Sequence, residues 1–403
     1  IRYFNHIDQP YFYYIPDREK DGYGASTKLF QKLIIKKPKL IIMVDCGSTS
    51  NEPIEFLNQN NIKSIIIDHH EINKPYPKSN VIINPKKNID YNNYDYLCAT
   101  TLTYFFIDKI NKKIKSEFKL SNFLIYVLLA TVCDVMPLRK LNRLISIIAL
   151  KEFKIIDNQV FSKLYELTNK KNKININDLG YFIGPILNSG GRLGKSNLAS
   201  ELLSSNKDNV INRNSLELIN LNNKRKKIES LILEDIDFKK LENNPSQIII
   251  YYDPNINEGL IGIIAARLKD YFNKPSIVIT KSNNILKASA RSTPRYNIGN
   301  LIKQLIDKKI IISGGGHNMA AGFTITKEKI NLLDEFIQNN YSQKVNRLHN
   351  SSIYEMEISP STINKKFMTN LNKLGPFGNY NFLPTFLIKN VKIVKTNIIN
   401  NKH

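Results

Sequence analysis

The run Ser64-Ile65-Ile66-Ile67-Asp68-His69-His70 places a carboxylate and two imidazoles directly behind an apolar stretch. Three β-branched isoleucines favour a buried strand, and parallel α/β sheets gather ligands where such strands end. Two histidines can also simply close a strand at the surface, so the pair alone decides nothing. A second run bears on it: Leu40-Ile41-Ile42-Met43-Val44 has the same buried-strand character and delivers Asp45, with the turn residue Gly47 behind it. Neighbouring strands would set Asp45 beside His69. The apolar run from Phe123 to Val132 ends in Cys133-Asp134, a third carboxylate at the edge of a buried element. Aspartate with imidazole is an oxygen and nitrogen ligand set, which suits Mn²⁺ or Mg²⁺ better than zinc.

These residues resemble a known family. Asp68-His69-His70 is similar to the signature of the DHH phosphoesterases, and Gly314-Gly315-Gly316-His317-Asn318-Met319-Ala320-Ala321-Gly322 to that of their second domain, DHHA1. Four further segments narrow the resemblance to the branch that degrades single strands. They are Ile15-Pro16-Asp17-Arg18 with Gly22-Tyr23-Gly24, Leu187 to Gly194, Ser289-Ala290-Arg291-Ser292, and Leu374-Gly375-Pro376-Phe377-Gly378.

The resemblance implies two divalent cations, Mn²⁺ or Mg²⁺, which together can supply a nucleophilic water, charge neutralisation and an in-line leaving group. Asp45 matches the carboxylate shared by both ions, and His69 and Asp134 match ligands of one. Asp68 would orient or ligate nearby, and His70 would face the scissile phosphate as a donor. The implied substrate is single-stranded DNA with a 5′-terminal phosphate, held by Arg18, Tyr23, Asn188, Arg192, Ser289 and Arg291. Gly315, Gly316 and His317 would cradle backbone phosphates, although a structural turn with His317 bonded to backbone fits the same residues.

The implied activity is 5′-to-3′ exonuclease action that releases mononucleotides in repair and recombination. A phosphoesterase of short oligonucleotides or cyclic dinucleotides is the alternative, as is a non-catalytic DNA-binding relative. One departure stands out: the family carries an Asp-x-Asp-x-Asp-Gly strand ahead of the Ile15 segment, and nothing before Ile15 matches it. With Ile1 as first residue, the expectation is a chain shortened at both ends, holding one ion better than two and weakly active or inactive.

Composition agrees with a phosphate-binding role. Net charge is +23 over 403 residues, the electrostatic footprint of nucleic-acid binding, although a drift toward Lys, Asn and Ile accounts for part of it. Arginine is the more informative residue, because only 11 of the 58 basic residues are Arg and three of them, Arg18, Arg192 and Arg291, fall inside motifs. A guanidinium offers phosphate a planar bidentate fork that ammonium cannot copy. Glycine is equally sparing, absent from Ser48 to Leu179 and from Lys195 to Glu258, and concentrated in the candidate loops. Cys46, Cys98 and Cys133 show no paired spacing, which indicates neither a disulfide framework nor a zinc knuckle. No apolar stretch is long enough to span a bilayer and no signal-peptide pattern opens the chain. The expectation is a cytoplasmic monomer that works beside a single-strand-binding protein or a helicase.

The pattern predicts an α/β fold: a parallel-sheet DHH domain over 1–195 with strands near 39–44, 64–67 and 81–83, a long linking helix over 196–241, and a smaller α/β DHHA1 domain over 242–346. In that second domain the expected elements are strand Gln247 to Tyr252, helix Leu260 to Tyr271, strand Ser276 to Thr280 and a glycine-rich loop after Ile312. The basic run Lys224-Arg225-Lys226-Lys227 reads as a solvated helix face, with contact to nucleic acid as the alternative. Residues 347–403 alternate in strand-like pieces, notably Thr385 to Ile388 and Val391 to Val394, which by the family resemblance would be the start of an oligonucleotide-binding β fold.

Overall fold

The isoleucine-rich runs form strands. In a computed structural model, β1 (Leu40–Val44), β2 (Lys63–Ile67) and β3 (Val81–Ile83) make a parallel sheet in the order β1-β2-β3. The structure describes all residues except 18–20, 22–23, 89–92, 244–245, 283–284, 295, 342–353, 393 and 397–403. Val44 pairs with Ile67, and Ile67 with Ile83. The ladder continues one residue further, since Asp45 N–H donates to Ile67 O (2.9 Å) and Asp68 N–H to Ile83 O (3.0 Å). Asp45 and Asp68 therefore stand level, each one residue beyond its strand.

Helix α1 (Asn51–Gln59) connects β1 to β2, and Ile54 and Leu57, three residues apart on one face, pack with Met43 and Ile66. Each such buried side chain contributes about 1.5–3 kcal/mol, enough to hold the strand ends in place. Gly47 permits the turn between them. Its φ is +110°, and a Cβ there would lie 3.2 Å from the Ile66 side chain and 3.3 Å from the Met43 sulfur. The apolar run before Asp134 forms helix α2 (Leu124–Cys133), with Ile125, Val127, Leu128 and Leu129 buried, and α3 (Lys140–Glu152) packs against it.

Residues Ile1–Pro185 and His349–His403 form one compact unit, and Ile186–Leu348 form the other. The segment expected as a single linking helix is three: α5 (Leu198–Ser204), α6 (Asp208–Asp235) and α7 (Phe238–Glu242), following α4 (Gly184–Arg192). It belongs to the second unit because Ile228, Ile232 and Leu233 of α6 pack into a core with Ile261, Ile264 and Leu268 of α8 (Glu258–Phe272). Arg225 of the basic run is buried, donating to Glu229 (2.6 Å), which also accepts from Arg267 of α8 (2.7 Å). That residue is a packing element and does not sit on a solvated face.

The second unit's sheet runs β4 (Ile249–Tyr252), β5 (Ser276–Ser282), β6 (Ile285–Arg291), β8 (Ala320–Ile325), β7 (Ser313–His317), with only β4 and β5 parallel. The expected glycine-rich loop is strand β7. Propensity disfavours three glycines in a strand, but tertiary packing overrides it. A Cβ at Gly314 would lie 2.8 Å from Phe323 Cβ and 2.9 Å from the Ile302 side chain of α9 (Ile298–Asp307), and one at Gly316 would run into Ala321. Only glycine lets β7 lie this close to β8 and α9. The arginine-bearing stretch Leu187 to Arg192 is likewise helical, the end of α4. In the tail, β9 (Met356–Glu357) pairs in parallel with β10 (Phe386–Leu387), and the described residues of 391–394 make no strand.

Candidate metal centre

Three element ends in the first unit converge. Asp45 follows β1 with φ +62°, a left-handed conformation that aspartate tolerates better than most residues. His69 follows β2, and Asp134 follows α2. The Nε2 atom of His69 lies 3.3 Å from Asp45 Oδ1 and 3.2 Å from Asp134 Oδ2. His69 is buried and its Nε2 has no hydrogen-bond partner among the described residues, while both carboxylates are exposed. A buried ring nitrogen left unsatisfied between two carboxylate oxygens is what a cation would resolve. Asp45, His69 and His70 also each offer a ligand atom within 4.8 Å of the others.

Asp68 plays a different part. Its side chain is buried and fully engaged: Oδ2 accepts from Ser48 N–H (3.1 Å), and Oδ1 accepts from His69 N–H (2.8 Å) and pairs with His70 Nδ1 (2.7 Å). Burial pushes the Asp68 pKa up, yet the bonds from His70 and Ser48 outweigh it and hold the carboxyl well below the usual carboxylate range. The same bond raises the His70 pKa against the opposing effect of its own burial. Asp68 thus fixes Nδ1 of His70 as a donor, and Nε2 is left for other work.

Both neighbouring thiols stay neutral. Burial, then the charges of Asp68 and Asp45, push Cys46 up to about 11; burial and Asp134 do the same to Cys133. The side chains whose ligand atoms converge are carboxylate and imidazole, an oxygen and nitrogen donor set that fits Mn²⁺ or Mg²⁺.

Val135, next to Asp134, has φ +54°. For a β-branched residue this conformation costs about 1–3 kcal/mol and persists only where the surroundings impose it.

Against family models, residues 1–131 match the DHH family N-terminal domain, 245–343 the DHHA1 domain and 354–403 the RecJ OB domain. The chain carries a DHH-family N-terminal domain and a DHHA1 domain. Its curated relatives include the single-stranded-DNA-specific exonuclease RecJ of Haemophilus influenzae, 29% identical over 78% of this chain and 58% of that protein. RecJ of Bacillus subtilis is 26% identical over 94% of this chain and 48% of its own length, and RecJ of Escherichia coli 28% over 91% and 67%. The chain therefore spans about half to two thirds of the relatives it matches. A solved structure of RecJ in complex with Mn²⁺ from Thermus thermophilus superposes with TM-score 0.78 at 21% identity, covering 90% of this chain and 54% of that one. The likeness establishes the fold: a parallel α/β DHH unit, a DHHA1 unit and an oligonucleotide-binding-like segment.

The second set of expected site residues lies in the DHHA1-bearing unit. Ser289 and Arg291 share one face of β6, with Arg291 Nη1 donating to Ser289 Oγ (3.1 Å) and Ala290 O (2.8 Å). Burial lowers the Arg291 pKa. Arg192 Nη1 donates to Gly259 O (3.0 Å). Gly259 and Gly262, one turn apart on α8, make room for these arginines: a Cβ at 259 would strike the Arg192 carbonyl, and one at 262 would lie 2.8 Å from Arg291 Nη2. Arg192, Ser289 and Arg291 are thereby gathered at the start of α8. Asn188 is exposed on α4. Gly315 faces open space, Gly316 packs on β8, and His317 ends β7 exposed. Arg18 and Tyr23 lie outside the described residues.

Three supporting residues escape a reading of the sequence. Asn84 donates to Ser48 Oγ (2.8 Å) and His70 O (2.9 Å), tying the ends of three strands together. Its position directly after strand 81–83 was the available signal, the same rule that selects Asp45 and Asp68. Gly262 was signalled by a glycine inside a helix of a glycine-poor chain. Ser48 carried no signal beyond its nearness to Gly47.

Proposed function

We propose that this chain is a divalent-cation-dependent exonuclease that hydrolyses single-stranded DNA from its 5′ end to mononucleotides, serving repair and recombination. The observation that carries the reading is the unsatisfied Nε2 of His69 between the carboxylates of Asp45 and Asp134. Support comes from relatives named single-stranded-DNA-specific exonuclease and from RecJ structures described in complex with Mn²⁺ and Mg²⁺.

Asp45, His69 and Asp134 would hold the cation, with Asp45 shared if a second is bound. Such ions supply Lewis-acid neutralisation of the phosphoryl oxygens and a water more acidic than bulk water. His70, held by Asp68, donates from Nε2 to a phosphate oxygen, where a preorganised donor is worth most as charge develops. Arg291, Arg192 and Ser289 bind the terminal phosphate, so that cutting starts at the 5′ end. Asn188, Gly315, Gly316 and His317 follow the backbone, and Arg18 and Tyr23, outside the described residues, are assigned to the substrate by their motif. The enzyme acts as a cytoplasmic monomer on strands opened by a helicase or held by a single-strand-binding protein.

The test is degradation of a 3′-labelled single strand with Mn²⁺, comparing 5′-phosphate with 5′-hydroxyl ends and with a dinucleotide. The reading expects mononucleotide release from the 5′-phosphorylated strand, abolished by EDTA. Cleavage of the dinucleotide alone would instead assign the chain to small substrates.

A further inference from the structure

The tail's Leu374–Asn381 segment is fastened to the stretch that immediately follows Asp134. Asn379 grips that stretch twice, its side-chain Nδ2 donating to Val135 O and its main-chain O accepting from Leu138 N–H (2.7 Å). Gly378 lies so close to Leu138 that an added Cβ would sit 2.5 Å from its Cδ1. Arg143 on α3 anchors the other end, donating to Leu374 O (2.8 Å) and Gly375 O (3.4 Å), and Asn381 Nδ2 donates to Pro376 O (2.9 Å) within the loop.

We propose that Asn379 is a positioning residue for Asp134: by clamping the left-handed Val135 it fixes the direction in which the adjacent carboxylate leaves α2 and meets His69. The proposal rests on the metal-centre reading above and deepens it. The α2 end by itself holds Val135 only through N–H bonds to the preceding turn, Val135 N–H to Val132 O (3.1 Å) and Met136 N–H to Thr131 O (2.9 Å). Those bonds hold the peptide after Val135 from its N–H edge, and its carbonyl edge, which points out of the helix ladder, takes a second hold from outside α2. Asn379 supplies that hold, and a strained residue beside a ligand needs it. The oligonucleotide-binding-like tail is in this way built into the metal centre and is more than an accessory to substrate binding.

The experiment measures Mn²⁺ affinity, by the electron paramagnetic resonance signal of free Mn²⁺, for the wild-type protein, Asn379→Ala, Asn379→Asp and Arg143→Ala. Both Asn379 variants keep the main-chain bond to Leu138 and lose only the grip on Val135. Arg143→Ala loosens the same loop without touching Val135. The proposal expects about 10–100-fold weaker Mn²⁺ binding in both Asn379 variants, the range for groups that orient metal ligands. It expects wild-type affinity in Arg143→Ala, unchanged melting of all variants in EDTA, and recovery of turnover by the Asn379 variants in excess Mn²⁺. Wild-type affinity in the Asn379 variants overturns it. So does their unfolding in EDTA, which would make Asn379 a support of the fold alone. Failure of the wild type itself to bind Mn²⁺ would sink the metal-centre reading, a result distinct from either.

Discussion

The two sheets hold their functional side chains in opposite ways. In the first unit two strands and helix α2 stop and the polar groups stand beyond them, with Asp45 and Asp134 exposed and His69 Nε2 without a hydrogen-bond partner among the described residues. In the second, Arg291 is bonded to Ser289 and Ala290, and Arg192 to Gly259. The first arrangement is preorganised for a positive charge, since like-signed carboxylates face one point. The second is preorganised in shape, with guanidinium groups whose existing bonds would, under the proposed function, be traded for those of a phosphate. The contrast teaches that the metal centre should fail completely when one group is lost, while the arginine corner should fail by degrees.

The sharpest break of that contrast is Asp45→Asn. Mn²⁺ affinity is expected to fall beyond the roughly 100-fold typical of lost supporting groups, read by calorimetric titration, and DNA degradation should fall with it. His70→Ala separates donor from ligand: turnover should drop about 10²–10³-fold, the cost of one transition-state donor, with Mn²⁺ affinity retained. Equal loss of both would place His70 on the ion.

In the second unit, Gly316→Ala and Gly315→Ala form a matched pair. A Cβ at 316 collides with Ala321 while one at 315 meets nothing. Overpacking at 316 should cost about 1–3 kcal/mol of stability, and the 315 variant should melt as wild type and lose only DNA affinity. Arg291→Lys is expected to raise KM for 5′-phosphorylated DNA about tenfold, the value of one charge-assisted bond, with kcat little changed. Steady-state kinetics on 5′-phosphate and 5′-hydroxyl strands would check it.

The smallest effect concerns Asp21, which accepts from Tyr14 Oη (2.6 Å) and Lys32 Nζ (2.8 Å). The Lys32 and Tyr14 bonds hold its pKa at about 2, below the ordinary 3.8. Because the folded value is depressed, its contribution is present above pH ~4 and disappears as pH falls through about 2. Lys32 is half exposed, so screening keeps the contribution under about 1 kcal/mol. Asp21→Asn should therefore reduce stability to urea at pH 7, and the reduction should shrink as pH falls through about 2.

How much could be read in advance differs between the sheets for a physical reason. Strands 40–44, 63–67 and 81–83 announce themselves through Ile and Val, and their ligands come at the residue where the apolar run stops. Side-chain chemistry and secondary structure point the same way there. In the second unit the motif residues were legible but their conformations were not, because Gly314 to Gly316 become a strand through contacts with Phe323, Ala321 and Ile302 that lie far off in sequence. The Arg192 segment is helical, with close approach at Gly190, where a Cβ would meet Lys195 O at 2.7 Å and Leu218 at 3.1 Å. Local propensity carries no trace of such long-range packing. The clamp of Asn379 on Val135 is separated by more than half the chain and was invisible for the same reason.

The central claim is that Asp45, His69 and Asp134 share a divalent cation. Crystals soaked in Mn²⁺ and measured at the manganese edge test it directly. The account predicts an anomalous peak bonded to His69 Nε2 and to oxygens of Asp45 and Asp134, at about 2.0–2.3 Å. Manganese found elsewhere, with His69 Nε2 still unligated, would contradict it.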